Sequence, residues 1–140
     1  SPLGARRAAA HCDGFYPVFL DPFADPNRHS DLQAIIKTEL ELAGRPFSSF
    51  IMMAATTMRI TDQKDALARQ TPRKICTGTA EQVLEDLETF ARAGYSLVVA
   101  KMDCPSGEVE EIHEQIGRVG QDVIPKCRTI EASGGWNTKF

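Results

Sequence analysis

The sequence has little of what usually betrays a function. Its four cysteines, Cys12, Cys76, Cys104 and Cys127, are widely scattered, and no Cys-x-x-Cys pair occurs. The usual signature of zinc ribbons and thioredoxin-type centres is therefore missing. Nothing at the front reads as a secretory leader, so the expectation is four reduced thiols in a cytoplasmic protein. Basic residues are not in excess: Lys and Arg number 16 against 19 Asp and Glu, a net charge of −3. Nucleic-acid binders carry clustered Lys and Arg, so nucleic acid is not an expected partner. No stretch approaches the roughly 18 uninterrupted apolar residues of a membrane span, so no membrane role is expected. His29 and His113 look exposed and have no ligand-spaced neighbours, so no metal site is expected. No internal repeat or low-complexity tract stands out. The chain opens on Ser1 rather than Met, which fits a processed product or a piece of something longer.

What is present is the raw material of one globular domain: 140 residues, 42% of them hydrophobic and 25% charged. Helical and strand-like segments alternate. Ala5–His11 is rich in Ala and Arg and reads as a helix. Gly14–Leu20 reads as a strand despite Pro17, and Asp21–Ser30 as a loop. Leu32, Ile35, Ile36, Leu40 and Ala43 recur at helical spacing, which predicts a helix from Asp31 to Ala43. Its expected cap is Ser30 or Asp31 and its expected stop is Gly44. Phe47–Ala55 is a strand by length and hydrophobicity, and Thr61–Arg69 a short helix.

The second half is more regular. Thr79 and Gln82 form a Thr-x-x-Gln capping box, ahead of a helix that carries Val83, Leu84, Leu87, Phe90 and Ala91 on one face and ends at Gly94. Tyr95–Met102 reads as a strand with a continuous apolar core, Leu97 to Ala100. Cys104-Pro105-Ser106-Gly107 is a turn. Val109, Ile112, Ile116, Val119 and Val123 then form a stripe at helical spacing, which Pro125 should end. Gly117 and Gly120 each weaken that helix by about 1 kcal/mol relative to Ala, which close packing of a neighbour would explain. Strands separated by helices argue for parallel pairing through crossovers. Three strands are predicted. A closed eight-stranded barrel needs about 250 residues, so the expected fold is α/β: about three parallel strands with flanking helices, part of a TIM-type (β/α)8 barrel.

Four segments, in order, resemble the C-terminal portion of the luciferase-like monooxygenase family. Arg7-Ala8-Ala9-Ala10-His11-Cys12-Asp13-Gly14-Phe15-Tyr16-Pro17 is similar to the family's R-A-A-x-x-x-D-G-[FW]-x-P. Ala43-Gly44-Arg45-Pro46 is similar to A-G-R-x-P at the end of an inserted helix. Gly78-Thr79-Ala80-Glu81-Gln82-Val83 through Ala93-Gly94-Tyr95 resembles G-T-P-E-E-V…A-G-V, with Ala80 where proline is usual. Val123-Ile124-Pro125 resembles the V-[IL]-P that ends the last helix. The likeness spans residues 1–125, and the tail 126–140 matches nothing in it.

The resemblance implies an oxidoreductase or monooxygenase that uses FMN or deazaflavin in reduced form on a small-molecule substrate. It places the family's glycine-rich phosphate turn just before Ser1, so Ser1, Pro2 and Leu3 would be its remnant and the cofactor-binding candidates. Chemistry in such barrels sits at the C-terminal ends of strands. Phe19, Asp21, Met102 and Asp103 are therefore the substrate-side candidates, with Leu20, Thr56 and Thr57 in similar positions. Most catalytic groups would lie upstream, so no catalytic residue is assigned, and the chain alone is expected to be inactive. His11-Cys12-Asp13 reads as a helix-to-strand turn, since adjacent side chains diverge. Phe15 and Tyr16 read as core, although an aromatic there could stack on a flavin. The partners this implies are a homo-oligomeric copy or the missing N-terminal half of the barrel. The rival expectation is a non-catalytic self-associating α/β module, or a remnant without activity.

Overall fold

The computed structural model describes residues 1–17, 25–62 and 65–130. Within them the chain is a mixed α/β protein with one four-stranded, largely parallel sheet and flanking helices. Helix α1 spans Pro2–His11. Ser1 caps it by accepting the Gly4 N–H through its hydroxyl at 3.3 Å, and Pro2 fits the first turn, where a missing N–H costs nothing. Strand β1 is only Gly14–Phe15. A Cβ at Gly14 would stand 2.6 Å from the Ile51 carbonyl, so only glycine admits the neighbouring strand this closely.

Helix α2 runs Pro26–Leu42 and starts earlier than its hydrophobic spacing predicts. Asp25, rather than Ser30 or Asp31, is the cap: its carboxylate accepts the Arg28 N–H at 3.1 Å, and Pro26 opens the first turn. An Asp-Pro pair in a proline-rich stretch reads as loop, yet it is also a helix start. Gly44 then closes the helix with φ of +63°.

The second strand is displaced too. Phe47–Ser49 form a 3₁₀ turn after Pro46, with the Ser49 hydroxyl donating to the Pro46 carbonyl at 2.8 Å. Strand β2 then runs Ile51–Ile60, taking in Thr56, Thr57 and Arg59. Among the described residues of the predicted Thr61–Arg69 helix no helix forms: Asp65 is a bend, residues 66–69 are turns, and the Thr61 N–H belongs to the sheet, donating to the Gly78 carbonyl at 2.7 Å. Strand β3, Thr77–Gly78, adds a fourth strand to the three that are predicted. Helix α3 comes next at Ala80–Arg92, and strand β4 at Leu97–Met102.

Strand β2 is central. Gly14 pairs with Ile51 and Phe15 with Met52 in parallel; Arg59 pairs with Thr77 and Ile60 with Gly78, also parallel. Strand β4 takes the other side of β2. The Ser96 N–H donates to the Met52 carbonyl and the Asp103 N–H to the Met58 carbonyl, so both strands advance in the same sense.

The expected apolar core of β4 is not a core. Leu97 is 43% exposed and Val99 45%, and the rest of the strand is half-buried or exposed. A run of apolar residues reports that a strand expects cover on both faces, not that the cover is present.

Helix α4 spans Val109–Arg118 and leads without a break into a π-helical turn, Val119–Val123, and a short helix α5, Ile124–Cys127. Pro125 does not end the run. The π turn carries an i→i+5 bond, Ile124 N–H to the Val119 carbonyl, and Pro125 sits in the first turn of α5, where its missing N–H is tolerated. Among the described residues, Gly117 and Gly120 have nothing within 4 Å of where a Cβ would project, so none of those residues packs closely on them.

By internal contacts the chain divides into two units, Ser1–Ala55 with Phe90–Val99, and Thr56–Thr89 with the run from Ala100. In the first, Ala5, Ala8 and Ala9 of α1 and Leu32, Ile36 and Leu40 of α2 are buried, and the two helices pack together. Arg45 ties them down by donating to the Ala9 carbonyl at 2.8 Å. In the second, Met58, Ile60, Cys76, Val83 and Val123 form the core. All four cysteines are thiols, with no disulfide among them. No helix among the described residues is long and apolar enough to cross a membrane.

Candidate functional site

In parallel α/β sheets, ligands gather beyond the carboxyl ends of the strands. Two such ends lie together in the second unit. Ile60 closes β2 beside Gly78, which closes β3. Gly78, at φ +150°, turns the chain straight into α3, and a side chain there would collide with Gln82. The reason is the predicted capping box. The Gln82 N–H donates to the Thr79 hydroxyl at 3.3 Å, and the Thr79 N–H donates to Gln82 Oε1 at 2.9 Å.

These ends border an open recess of about 310 Å³ lined by Ile60, Thr61, Asp62, Thr79, Ala80, Glu81, Arg118, Asp122 and Lys126. Its charges oppose one another. Arg118 is paired with Asp62 at 2.8 Å. Glu81 is held below the usual carboxylate range by its own backbone N–H, then by the Thr79 side chain. With three carboxylates against two cations on the lining, the recess does not favour a polyanion. Among the described residues the Thr61 hydroxyl has no hydrogen-bond partner, but it is sealed from solvent.

A second cluster stands at the mouth of β4. Arg59 donates to the Asp103 carbonyl at 2.8 Å and to Glu111 at 2.7 Å, while Lys74 pairs with the Asp103 carboxylate at 2.9 Å. Glu111 also accepts from the Ser106 N–H and hydroxyl, and the Glu108 N–H donates to the Ser106 oxygen at 3.1 Å. The Ser106 contact, then Arg59, holds the Glu111 carboxyl below its ordinary range. Desolvation, then Glu111, pushes the neighbouring Cys104 thiol up, which disfavours the thiolate a nucleophile needs. The arrangement fixes the 103–111 loop through matched charges and hydrogen bonds to Glu111.

Met102 and Asp103 thus lie where the strand-end rule placed them, Met102 half-buried and Asp103 inside this ion-paired cluster. Ser1, Pro2 and Leu3 are exposed at the start of α1. They belong to the first unit, and Met102 and Asp103 to the second. Phe19, Leu20 and Asp21 lie outside the described residues. Thr56 and Thr57 fall inside β2 rather than after it, because the strand continues to Ile60. His11, Cys12 and Asp13 are exposed and do not converge; Asp13 pairs with Arg45 at 3.4 Å. Arg59, Lys74, Glu111 and Gln115 belong to no motif in the sequence. Arg59 carries a signal nonetheless, since a cation inside an apolar β-branched strand must find partners.

His29 is a correction. It is 7% exposed, not a surface residue. It stacks on Tyr95 with ring centroids 5.1 Å apart. Its Nε2 lies 3.2 Å from the Ala93 carbonyl, which only accepts, so Nε2 carries the proton. Nδ1 then accepts the Tyr95 hydroxyl at 2.9 Å. Gln33 donates to the same Ala93 carbonyl at 2.7 Å. A helix that started at Asp31 would leave His29 in a loop; one that starts at Pro26 turns it inward.

Burial lowers the His29 pKa from its ordinary 6.5, only partly countered by the Ala93 bond. The unfolded chain therefore takes up the proton more readily than the folded one. The contribution of neutral His29 to stability is full above about pH 6.5 and is lost as pH falls below it, by at most about 1.4 kcal/mol per pH unit. Urea midpoints at pH 7.5 and 5.5 check this: the wild type should drop between them more than His29→Gln does. Equal drops would show that His29 plays no part.

Among the described residues no group of three or more His, Cys, Asp or Glu is placed to hold a metal ion. No protein-family model matches the chain, and no curated protein matches it significantly.

Proposed function

We propose that the chain is the C-terminal part of a luciferase-like (β/α)8 barrel, an oxidoreductase that uses FMN or deazaflavin. The observation that carries this reading is where the four resembling segments fall. Each lies at an element junction or within a helical run of the kind the resemblance implies. Arg7 to Gly14 crosses from α1 into β1, and Ala43-Gly44 ends α2. Gly78-Thr79 joins β3 to α3 through the capping box, and Gly94-Tyr95 leads towards β4. Val123-Ile124-Pro125 lies in the last helical run, although here that run continues to Cys127.

The uncovered apolar residues agree. Leu97 and Val99 on β4 are what the broken side of a barrel would expose. The residues present fit only part of a flavin. The exposed N-terminus of α1, capped by Ser1, suits a phosphate, whereas nothing among the described residues encloses a ring system. Bound reduced flavin would supply hydride or activate oxygen; in the first unit, this chain's share would be to seat the phosphate at Ser1–Leu3.

Fluorescence titration with FMN and with a deazaflavin tests the reading. The 140-residue chain should show no micromolar binding, and a parent extended upstream of Ser1 should bind. Micromolar binding by the short chain would refute the idea that the site is incomplete. An extended parent with no flavin affinity would refute the family reading.

A further inference from the structure

Three buried polar atoms gather on one face of the β2–β3 pair. Among the described residues, Arg59 Nε, Thr61 Oγ1 and Thr77 Oγ1 are sealed from solvent and have no hydrogen-bond partner. Arg59 and Thr77 are register partners across β2 and β3, so their side chains leave the sheet on the same side. Thr61 follows Arg59 by two residues and its N–H still bonds the Gly78 carbonyl, so it takes that side too. Thr61 is 5% exposed and Thr77 3%. A buried polar group left dry lowers the folding equilibrium constant by roughly five- to a hundredfold, and three side by side would leave a small unit little stability.

We infer that ordered water is built into this face, one molecule bridging Arg59 Nε and Thr77 Oγ1 and its hydrogen bonds continuing to the Thr61 hydroxyl. Spacing permits it: paired strands lie about 4.8 Å apart, and two hydrogen bonds through one water span about 5.6 Å. The chemistry selects water over an ion. Arg59 Nε can only donate, whereas each threonine hydroxyl donates and accepts. A water accepts from the first and keeps bonds for the others, and buried waters make about three. A cation would be repelled by the guanidinium. An anion would compete with Glu111, which already holds Arg59 Nη1 at 2.7 Å. The water fixes the guanidinium that holds Glu111 and the Asp103 carbonyl, and so ties the end of β3 to the 103–111 loop.

Valine has almost the shape of threonine, no hydroxyl and at least as strong a preference for strands. Urea unfolding of valine variants therefore separates a wet face from a dry one. Thr77→Val and Thr61→Val should each lower the folding equilibrium constant by at least about fivefold, because each takes a partner from the bound water. Thr57→Val, on the same face but outside the orphaned set, should not lower it. A high-resolution crystal structure of the wild type should show a water within hydrogen-bond reach of Arg59 Nε and Thr77 Oγ1, and that of Thr77→Val should lack it. An unchanged or raised constant for Thr77→Val and Thr61→Val means that the hydroxyls are dry and overturns the inference. An equal loss in Thr57→Val overturns it as well, as does wild-type density with no water between Arg59 and Thr77. The inference does not rest on the flavin reading, and the titration above can fail without affecting it.

Discussion

Asp86→Ala should lower the unfolding free energy by about 3 kcal/mol, which for a chain of this length moves the melting temperature by on the order of 10 °C. Asp86 holds the irregular segment before β3 from three directions. Arg73 reaches it with two nitrogens, Nη1 to Oδ2 at 2.7 Å and Nη2 to Oδ1 at 2.8 Å, a bidentate pair with both side chains largely out of solvent. The Cys76 N–H donates to Oδ2 at 2.7 Å. Cys76 is fully buried and sits at φ +55°, a conformation a non-glycine residue keeps only when its surroundings hold it there. Removing the carboxylate takes both charge-assisted bonds from the Arg73 guanidinium, which keeps its bond to the Thr77 carbonyl, and one bond from the Cys76 N–H. It also loosens the approach to Thr77-Gly78, and so the edge of the strand-end recess. A double-mutant cycle with Arg73→Ala should show strong coupling, with the double variant costing clearly less than the sum of the singles. A loss below about 1 kcal/mol for Asp86→Ala would mean that water replaces the pair and that the segment holds itself.

In the sequence Asp86 looks ordinary, one carboxylate on the acidic face of an amphipathic helix. That shows which kind of information a sequence carries here. Signals completed within a few residues were legible: the Thr79–Gln82 box, the glycine stops at Gly44 and Gly94, and the turn at Cys104–Gly107. Signals completed by distant residues were not. Arg73 finds Asp86 across a loop, Arg59 finds Glu111 across a crossover, and His29 finds Tyr95 from the other end of its unit. Periodicity also failed where it was asked about cover rather than conformation. Leu97–Ala100 is a strand, as its composition demands, but its cover is missing. The Val109–Val123 stripe is helical, but only Val123 is fully buried. Met102 and Asp103 stand at the end of β4, as the strand-end rule expects of their position, while the ion pair that Asp103 makes with Lys74 was beyond it.

Gln115→Leu should cost on the order of 2–4 kcal/mol, and its comparison with Gln115→Glu should reveal why. Strand β4 ends at Met102, yet β2 runs on to Ile60, whose backbone then faces no strand on that side. Gln115, 4% exposed on α4, supplies the missing partner with its side chain. The Ile60 N–H donates to Oε1 at 2.8 Å, and Nε2 donates back to the Ile60 carbonyl at 3.1 Å. A primary amide offers one donor and one acceptor side by side, as the peptide group of a strand does, so α4 in effect extends the sheet by one residue. Leucine of similar volume leaves both buried Ile60 groups unsatisfied at any pH. Glutamate keeps the acceptor but, when ionised, turns a negative oxygen towards the Ile60 carbonyl. Protonated, it regains a donor. Its carboxyl is therefore raised in the folded state, so Gln115→Glu should be weakest at pH 7.5 and recover as pH falls through that raised value, whereas Gln115→Leu should not recover. Urea midpoints for both variants, each taken relative to wild type at the same pH, read this directly. Matching pH profiles for the two variants would show that the amide is filling space rather than completing the ladder. The outcome bears on the candidate site, because Ile60 and the two residues after it form one wall of the recess, and Gln115 is what fixes the end of that strand.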